Sequence, residues 1–172
     1  MTRPVDVGAI HRGLAARGAT VAVAESITAG LVCAALTGTP GSSATFRGGL
    51  VVYATDLKHA LAGVPTALLE AHGPVSAPVA AALAGGVAER LGATFGLALT
   101  GVAGPDPADG VPVGTVYLGL SGLVGPAGTG EPAGSDGPVV RRLALAGGRE
   151  AIRAEAVAAA LDLLWDVVRE SR

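Results

Sequence analysis

The sequence predicts an α/β fold: a three-layer α/β/α domain around a mixed, mostly parallel sheet of about five strands. Three observations carry this. Short apolar runs alternate with segments of helical period, so the strands need crossover connections and pair in parallel. Gly or Pro punctuates most boundaries. The last strand-like runs have no helical segment between them, so at least one of those strands runs antiparallel.

The elements follow in order. Val7, Ile10 and Leu14 fall at helical spacing, and Gly18 closes that helix. "TVAVAES" suits a buried strand. "TAGLVCAALTG" reads as a helix that stops at Gly38 and Pro40. "GGLVVYA" is a second buried strand, followed by a short helix capped by Thr55 or Asp56. "VSAPVAAALAGGVAERLG" sets Val79, Leu83, Val87 and Leu91 on one face, with Ser76 as its cap and Gly92 as its stop. "TFGLALTG" and "GTVYLGLSG" are strands three and four, and "VVRRLALA" is strand five. The closing helix carries a core stripe of Ile152, Ala156, Leu163, Leu164, Val167 and Val168. "GPAGTGEPAGSDGP", residues 125–138, has no periodicity and reads as a mobile hairpin connection. No repeat or linker divides the chain, so residues 1–172 read as one domain.

Composition narrows the function. A single domain of 172 residues buries about 70% of its unfolded surface, so one core suffices. Net charge is −2 and aromatics are 3%, which leaves neither the clustered cations nor the stacking rings of a nucleic-acid binder. The lone cysteine, Cys33, excludes an internal disulfide and fits a cytoplasmic setting; on the apolar side of its helix it reads as core. No apolar run reaches the length of a membrane span, and the N-terminus lacks the apolar stretch of a signal peptide. His11, His59 and His72 show no metal-ligand spacing, so no metal or cofactor is expected.

The chain uses eleven arginines and a single lysine, Lys58, within "VVYATDLKHA". In sheets of this kind ligands sit beyond the carboxyl ends of parallel strands. Strand one ends at Glu25 and Ser26, strand two near Tyr53 and Lys58, and strand three at Thr100 and the 101–105 loop. A serine needs a base to become a nucleophile. A lysine of lowered pKa can be that base, whereas arginine does not deprotonate in proteins. A serine at a strand-to-helix turn also lies near helix N–H groups that can hold an oxyanion. The plainer alternatives are a serine that caps a helix and a lysine that is simply solvated. Glu25, a carboxylate ending an apolar strand, needs a cationic or N–H partner. It either orients Lys58, holds a loop, or accepts from backbone amides.

Five motifs occur in order: "AES.T.G", "PGSS..F..G...Y....K", "HG.VS", "TG.AGP" and "PVGTVY". Together they resemble the CinA C-terminal domain family, from about residue 5 to residue 168. That family includes stand-alone nicotinamide-nucleotide amidohydrolases. The resemblance implies hydrolysis of the carboxamide of nicotinamide mononucleotide, giving nicotinic acid mononucleotide and ammonia. Ser26 would be the nucleophile, Lys58 the base, and Tyr53 an orienting or substrate-binding group. Substrate contacts are expected from Glu25, Thr28, Gly30, Ser42, Ser43, Thr100, Gly101 and Gly104, with Arg47 and Arg149 as further anion partners. By composition the 41–43 and 100–105 loops offer hydroxyls and backbone N–H groups to a phosphate, the alternative for each being a plain tight turn. The sequence departs from the family pattern at Ile27 and Ala29, where Cys and Gly are common, and at Gly148, where Gly-Asp-Arg is usual. Many family members carry a further N-terminal domain; this chain begins at the C-terminal module, so that domain's activities are not expected of it. A homo-oligomer, at least a dimer, is expected. A catalytically weakened nucleotide-binding module and an interaction protein in competence or damage responses are the alternative readings.

Overall fold

A computed structural model describes residues 5–122 and 137–170. The expectation for 125–138 therefore lies outside the described residues, apart from its last two positions.

The five strands are β1 (Val21–Glu25), β2 (Phe46–Val51), β3 (Phe95–Gly101), β4 (Thr115–Ser121) and β5 (Val139–Ala144). They form one sheet in the order β2-β1-β3-β4-β5. β1 pairs in parallel with β2 and with β3, while β3–β4 and β4–β5 are antiparallel. Only β4 therefore runs against the other four. The helices are α1 (Val7–Ala16), α2 (Leu31–Thr37), α3 (Thr55–Ala60), α4 (Thr66–His72), α5 (Ala77–Leu91) and α6 (Arg149–Glu170), with a 3₁₀ turn at Ser42–Ala44. No described helix is long and apolar enough to cross a membrane.

The pleat divides each central strand between two layers. Val21, Val23, Leu97 and Leu99 face a core shared with Ile10, Leu14, Val32, Leu36, Ile152 and Leu164 of α1, α2 and α6. Ala22, Ala24 and Ala98 face Val79, Leu83, Ala84 and Val87 of α5. The α5 side is lined by small residues because that helix lies almost on the strand backbone. A Cβ on Gly96 would stand 1.9 Å from the Ala84 carbonyl oxygen, and one on Gly119 would stand 2.3 Å from that of Ala80.

Several boundaries differ from expectation. β2 is an edge strand, with burial alternating along it instead of continuing on both faces, and it ends at Val51, before Tyr53. α2 begins at Leu31, not Thr28, because Ala29 and Gly30 have φ of 49° and 103° and cannot belong to a right-handed helix. α3 begins at Thr55, which leaves Ala54 at the capping position. Ser76 precedes α5, but its hydroxyl donates to the Gly73 carbonyl and caps nothing. α4 was not expected: "TALLEAH" is too short to show a period.

Candidate active site

β1 lies between β2 and β3, so the chain order reverses on either side of it. Its carboxyl end is the topological switch point of the sheet, where a crevice opens. Ser26 is the first residue beyond that end. Its amide donates to the Leu99 carbonyl of β3, which fixes the main chain as it leaves the sheet. The next strand pair is prolonged in the same way, by Val52 donating to the Glu25 carbonyl. β2 thus delivers Tyr53 and the first turn of α3 beside Ser26.

Lys58 is the largest fully buried side chain among the described residues, 2% exposed. Its Nζ donates to Ser26 Oγ at 3.2 Å and to the Val52 carbonyl at 2.9 Å. No carboxylate pairs with it among the described residues. Burial disfavours the ammonium form and pulls its pKa down from 10.5 to about 8. A lysine of this pKa is about half neutral amine near pH 8, within hydrogen-bond distance of the Ser26 hydroxyl.

Ser26 and Lys58 line an open cleft with a cavity volume of about 160 Å³. Tyr53, Thr55, Thr100, Gly101, Asp109 and Arg149 also line it, with Ile27, Pro74, Val75 and Ala103 as its apolar wall. Thr100 Oγ1 donates to the Pro74 carbonyl at 2.8 Å. Tyr53 is 58% exposed. Its hydroxyl accepts from Arg149 Nη2 at 3.1 Å, while Nη1 of the same guanidinium donates to the Gly104 carbonyl at 2.8 Å. Arg149 therefore bridges the β2 and β3 sides of the cavity.

Other expected contacts lie elsewhere. Ser42 and Ser43 form the turn that enters β2. Because β2 runs parallel to β1, that turn and Arg47 lie at the amino end of the sheet, roughly 16 Å from Ser26 at about 3.3 Å per strand residue. Arg47 instead donates to the Leu91 carbonyl. Neither serine lines the cavity. Gly104 takes part only through its carbonyl, held by Arg149.

Glu25, fully buried, does not reach Lys58. Its Oε2 accepts from the Gly30 and Val32 amides at 2.9 and 3.1 Å, and its Oε1 accepts from Cys33 at 2.8 Å. The backbone-acceptor reading of Glu25 is the one the geometry follows. It also corrects the oxyanion expectation: the amides at the start of α2 are already taken. The Ile27, Thr28 and Ala29 amides, which directly follow Ser26 in the chain, have no hydrogen-bond partner among the described residues. Thr28 is fully buried, and its hydroxyl has no partner among the described residues. Cys33 is half-buried against Gly49; burial and the Glu25 carboxylate push its thiol pKa up. Among the described residues no three acidic, His or Cys side chains gather as a metal site.

Sequence reasoning missed two polar residues near the site. Asp109, at φ 50°, reaches the cavity from the turn between β3 and β4. Arg153 holds the loop after Ser26 from below, donating through Nε to the Ile27 carbonyl and through Nη2 to that of Thr28, each at 3.1 Å. The available signal was spacing: Arg153 is four residues after Arg149 on one helix face.

Residues 7–168 match the CinA C-terminal domain. A CinA-like protein of Frankia casuarinae is 53% identical over 151 residues, covering 88% of this chain and 32% of that protein. The chain spans about a third of the length of the curated relatives it matches. Among solved structures, the competence/damage inducible protein CihA from Agrobacterium tumefaciens has a TM-score of 0.79 and 33% identity, over 97% of this chain and 99% of that one. A CinA superfamily protein from Klebsiella pneumoniae has a TM-score of 0.82 and 26% identity, over 96% and 99% of the two chains. With a family match across almost its whole length, laid over one sheet and one cleft, this chain belongs to the CinA C-terminal domain family.

Proposed function

We propose that the chain is an amidohydrolase that converts nicotinamide mononucleotide and water to nicotinic acid mononucleotide and ammonia. The observation that carries the reading is the buried Lys58 amine, 3.2 Å from Ser26 Oγ at the switch-point cavity. Neutral Lys58 accepts the Ser26 proton as Oγ attacks the carboxamide carbon. It returns that proton to the departing nitrogen, which leaves as ammonia. Water then attacks the acyl-serine ester, giving its proton to Lys58, which returns it to Ser26 Oγ as the acid leaves. The pyridinium charge of the substrate favours the neutral amine further, since two cations repel at this range. Arg149 is the guanidinium at the cavity and the group for the substrate phosphate, with Tyr53 beside it.

The test is ammonia release from nicotinamide mononucleotide by the purified chain, with Ser26→Ala as control. Release that persists in Ser26→Ala removes the serine mechanism. One observation favours a second reading, a nucleotide-binding module of weakened activity: the β-branched Ile27, 4% exposed, lines the cavity directly after Ser26. Calorimetric binding of the nucleotide without ammonia release would select it. An interaction role in competence or damage responses rests on the relatives' names alone. The chain is expected to work in the cytoplasm without a cofactor or nucleic acid, as a homo-oligomer. Light scattering that gives a monomer mass at micromolar concentration would remove the last expectation.

A further inference from the structure

The loop from Ser26 to Gly30 carries the proposed nucleophile, yet little of it is held by regular hydrogen bonding. Ala29 and Gly30 both have left-handed φ, and the Ile27, Thr28 and Ala29 amides are unpaired among the described residues. Two side chains from outside the loop set its course. Glu25 takes amides at its far end, and Arg153 of α6 takes two successive carbonyls, those of Ile27 and Thr28, at 3.1 Å each. No carboxylate pairs with Arg153 among the described residues, so its guanidinium serves these carbonyls. A planar trans peptide points its N–H opposite to its C=O. By fixing the two carbonyls toward α6, Arg153 turns the Thr28 and Ala29 N–H groups away from that helix.

We propose that Arg153 is a positioning residue of this site: it acts on Ser26 through the main chain, holding the nucleophile loop in the conformation from which Oγ attacks and its free amides face the reaction. The inference rests on the reading of Ser26 as a nucleophile. It extends that reading to a residue that lines no part of the cavity and touches no reacting atom. A planar fork suits two adjacent carbonyls, whereas an ammonium or a single amide group does not reproduce it.

The test compares wild type, Arg153→Met and Arg153→Gln, with Ser26→Ala as the unreactive control. Three quantities are read: the rate at which a fluorophosphonate labels Ser26, kcat and KM for ammonia release from nicotinamide mononucleotide, and Tm. Arg153→Met should slow labelling and lower kcat on the order of 10- to 100-fold with KM little changed, as misplacement of a reacting group does. Arg153→Gln, which keeps one donor group, should fall between Met and wild type. A lower Tm with wild-type labelling and kcat would overturn the proposal, leaving Arg153 a structural tie. If Arg153→Met does not fold, Arg153→Gln decides: slowed labelling supports positioning, and wild-type labelling overturns it. A wild type that labels at Ser26 but releases no ammonia loses the proposed substrate, while the labelling rates still decide Arg153. A wild type that does not label at Ser26 overturns both.

Discussion

Lys58 shows why a chain that otherwise uses arginine would keep one lysine. An ammonium buried without a carboxylate is costly, and the site relieves that cost by letting the amine titrate near pH 8. The first consequence is kinetic. If the free enzyme requires neutral Lys58, kcat/KM should rise about tenfold per pH unit below roughly pH 8 and level off above it. Lys58→Arg keeps the charge but cannot give up its proton, so the rate should drop on the order of 10²–10⁴ on the plateau above roughly pH 8, with a smaller gap at lower pH. A rate profile flat across this range would mean that no such base operates. The second consequence is thermodynamic. Between about pH 8 and 10.5 the unfolded chain binds a proton at Lys58 that the folded chain does not, so this residue makes stability rise with pH through that window. Cys33 opposes it from about pH 9 upward, because its raised thiol pKa keeps the folded state protonated while the unfolded thiol ionises. The Lys58 contribution is therefore read as a difference: urea stability of wild type minus that of Lys58→Met, followed against pH, should climb from about pH 8. A difference that does not change with pH would show that the buried amine titrates as it does in water.

The serine loop is held by charge on both sides: a carboxylate takes the Gly30 amide and two amides of α2, and a guanidinium takes the Ile27 and Thr28 carbonyls. Ala29 in the left-handed region costs roughly 1–2 kcal/mol, so the loop persists because these partners over-determine it. Glu25→Gln loses one acceptor oxygen facing buried N–H groups and should cost about 1–3 kcal/mol in chemical denaturation. It should leave the pH midpoint of activity in place, since Glu25 touches α2 and not Lys58. A shifted midpoint would restore the idea that Glu25 orients the lysine. Element by element, the sequence exposed what is local. Ser26 and Lys58 were legible because strand ends can be read from apolar runs and ligands gather beyond them. Glu25 was legible as a buried acid, but its choice among partners depends on where the start of α2 turns back. Arg153 shares a helix face with Arg149, but the carbonyl it holds lies 126 residues away, and no local window shows that contact. Ser42 and Ser43 resembled an anion loop by composition. Only the parallel pairing of β2 with β1 sends them to the other end of the sheet.

At the scale of the whole molecule, one sheet separates two apolar layers, and the same strands feed both. Val23 and Leu99 point into the layer beneath α1, α2 and α6, while Ala24 and Ala98, their neighbours in sequence, point to α5. Neither layer can lose its packing without exposing the strands that support the other, so the described core should unfold as one unit. The single tryptophan, Trp165, packs against the α6 layer and reports on that side alone. Leu83, fully buried on α5, belongs to the opposite layer. Leu83→Ala should cost about 2–5 kcal/mol through lost burial and the cavity left behind. In urea, with protein concentration held fixed, Trp165 fluorescence and far-UV circular dichroism should give one midpoint in wild type. The substitution should move both midpoints by the same amount, although no atom of Leu83 belongs to the layer Trp165 reports. Should the dichroism midpoint fall while the fluorescence midpoint holds, the two faces would be independent folding units. Ser26, held by β1 and β3 on one side and by Lys58 from α3 on the other, would then lose its base before its own loop let go.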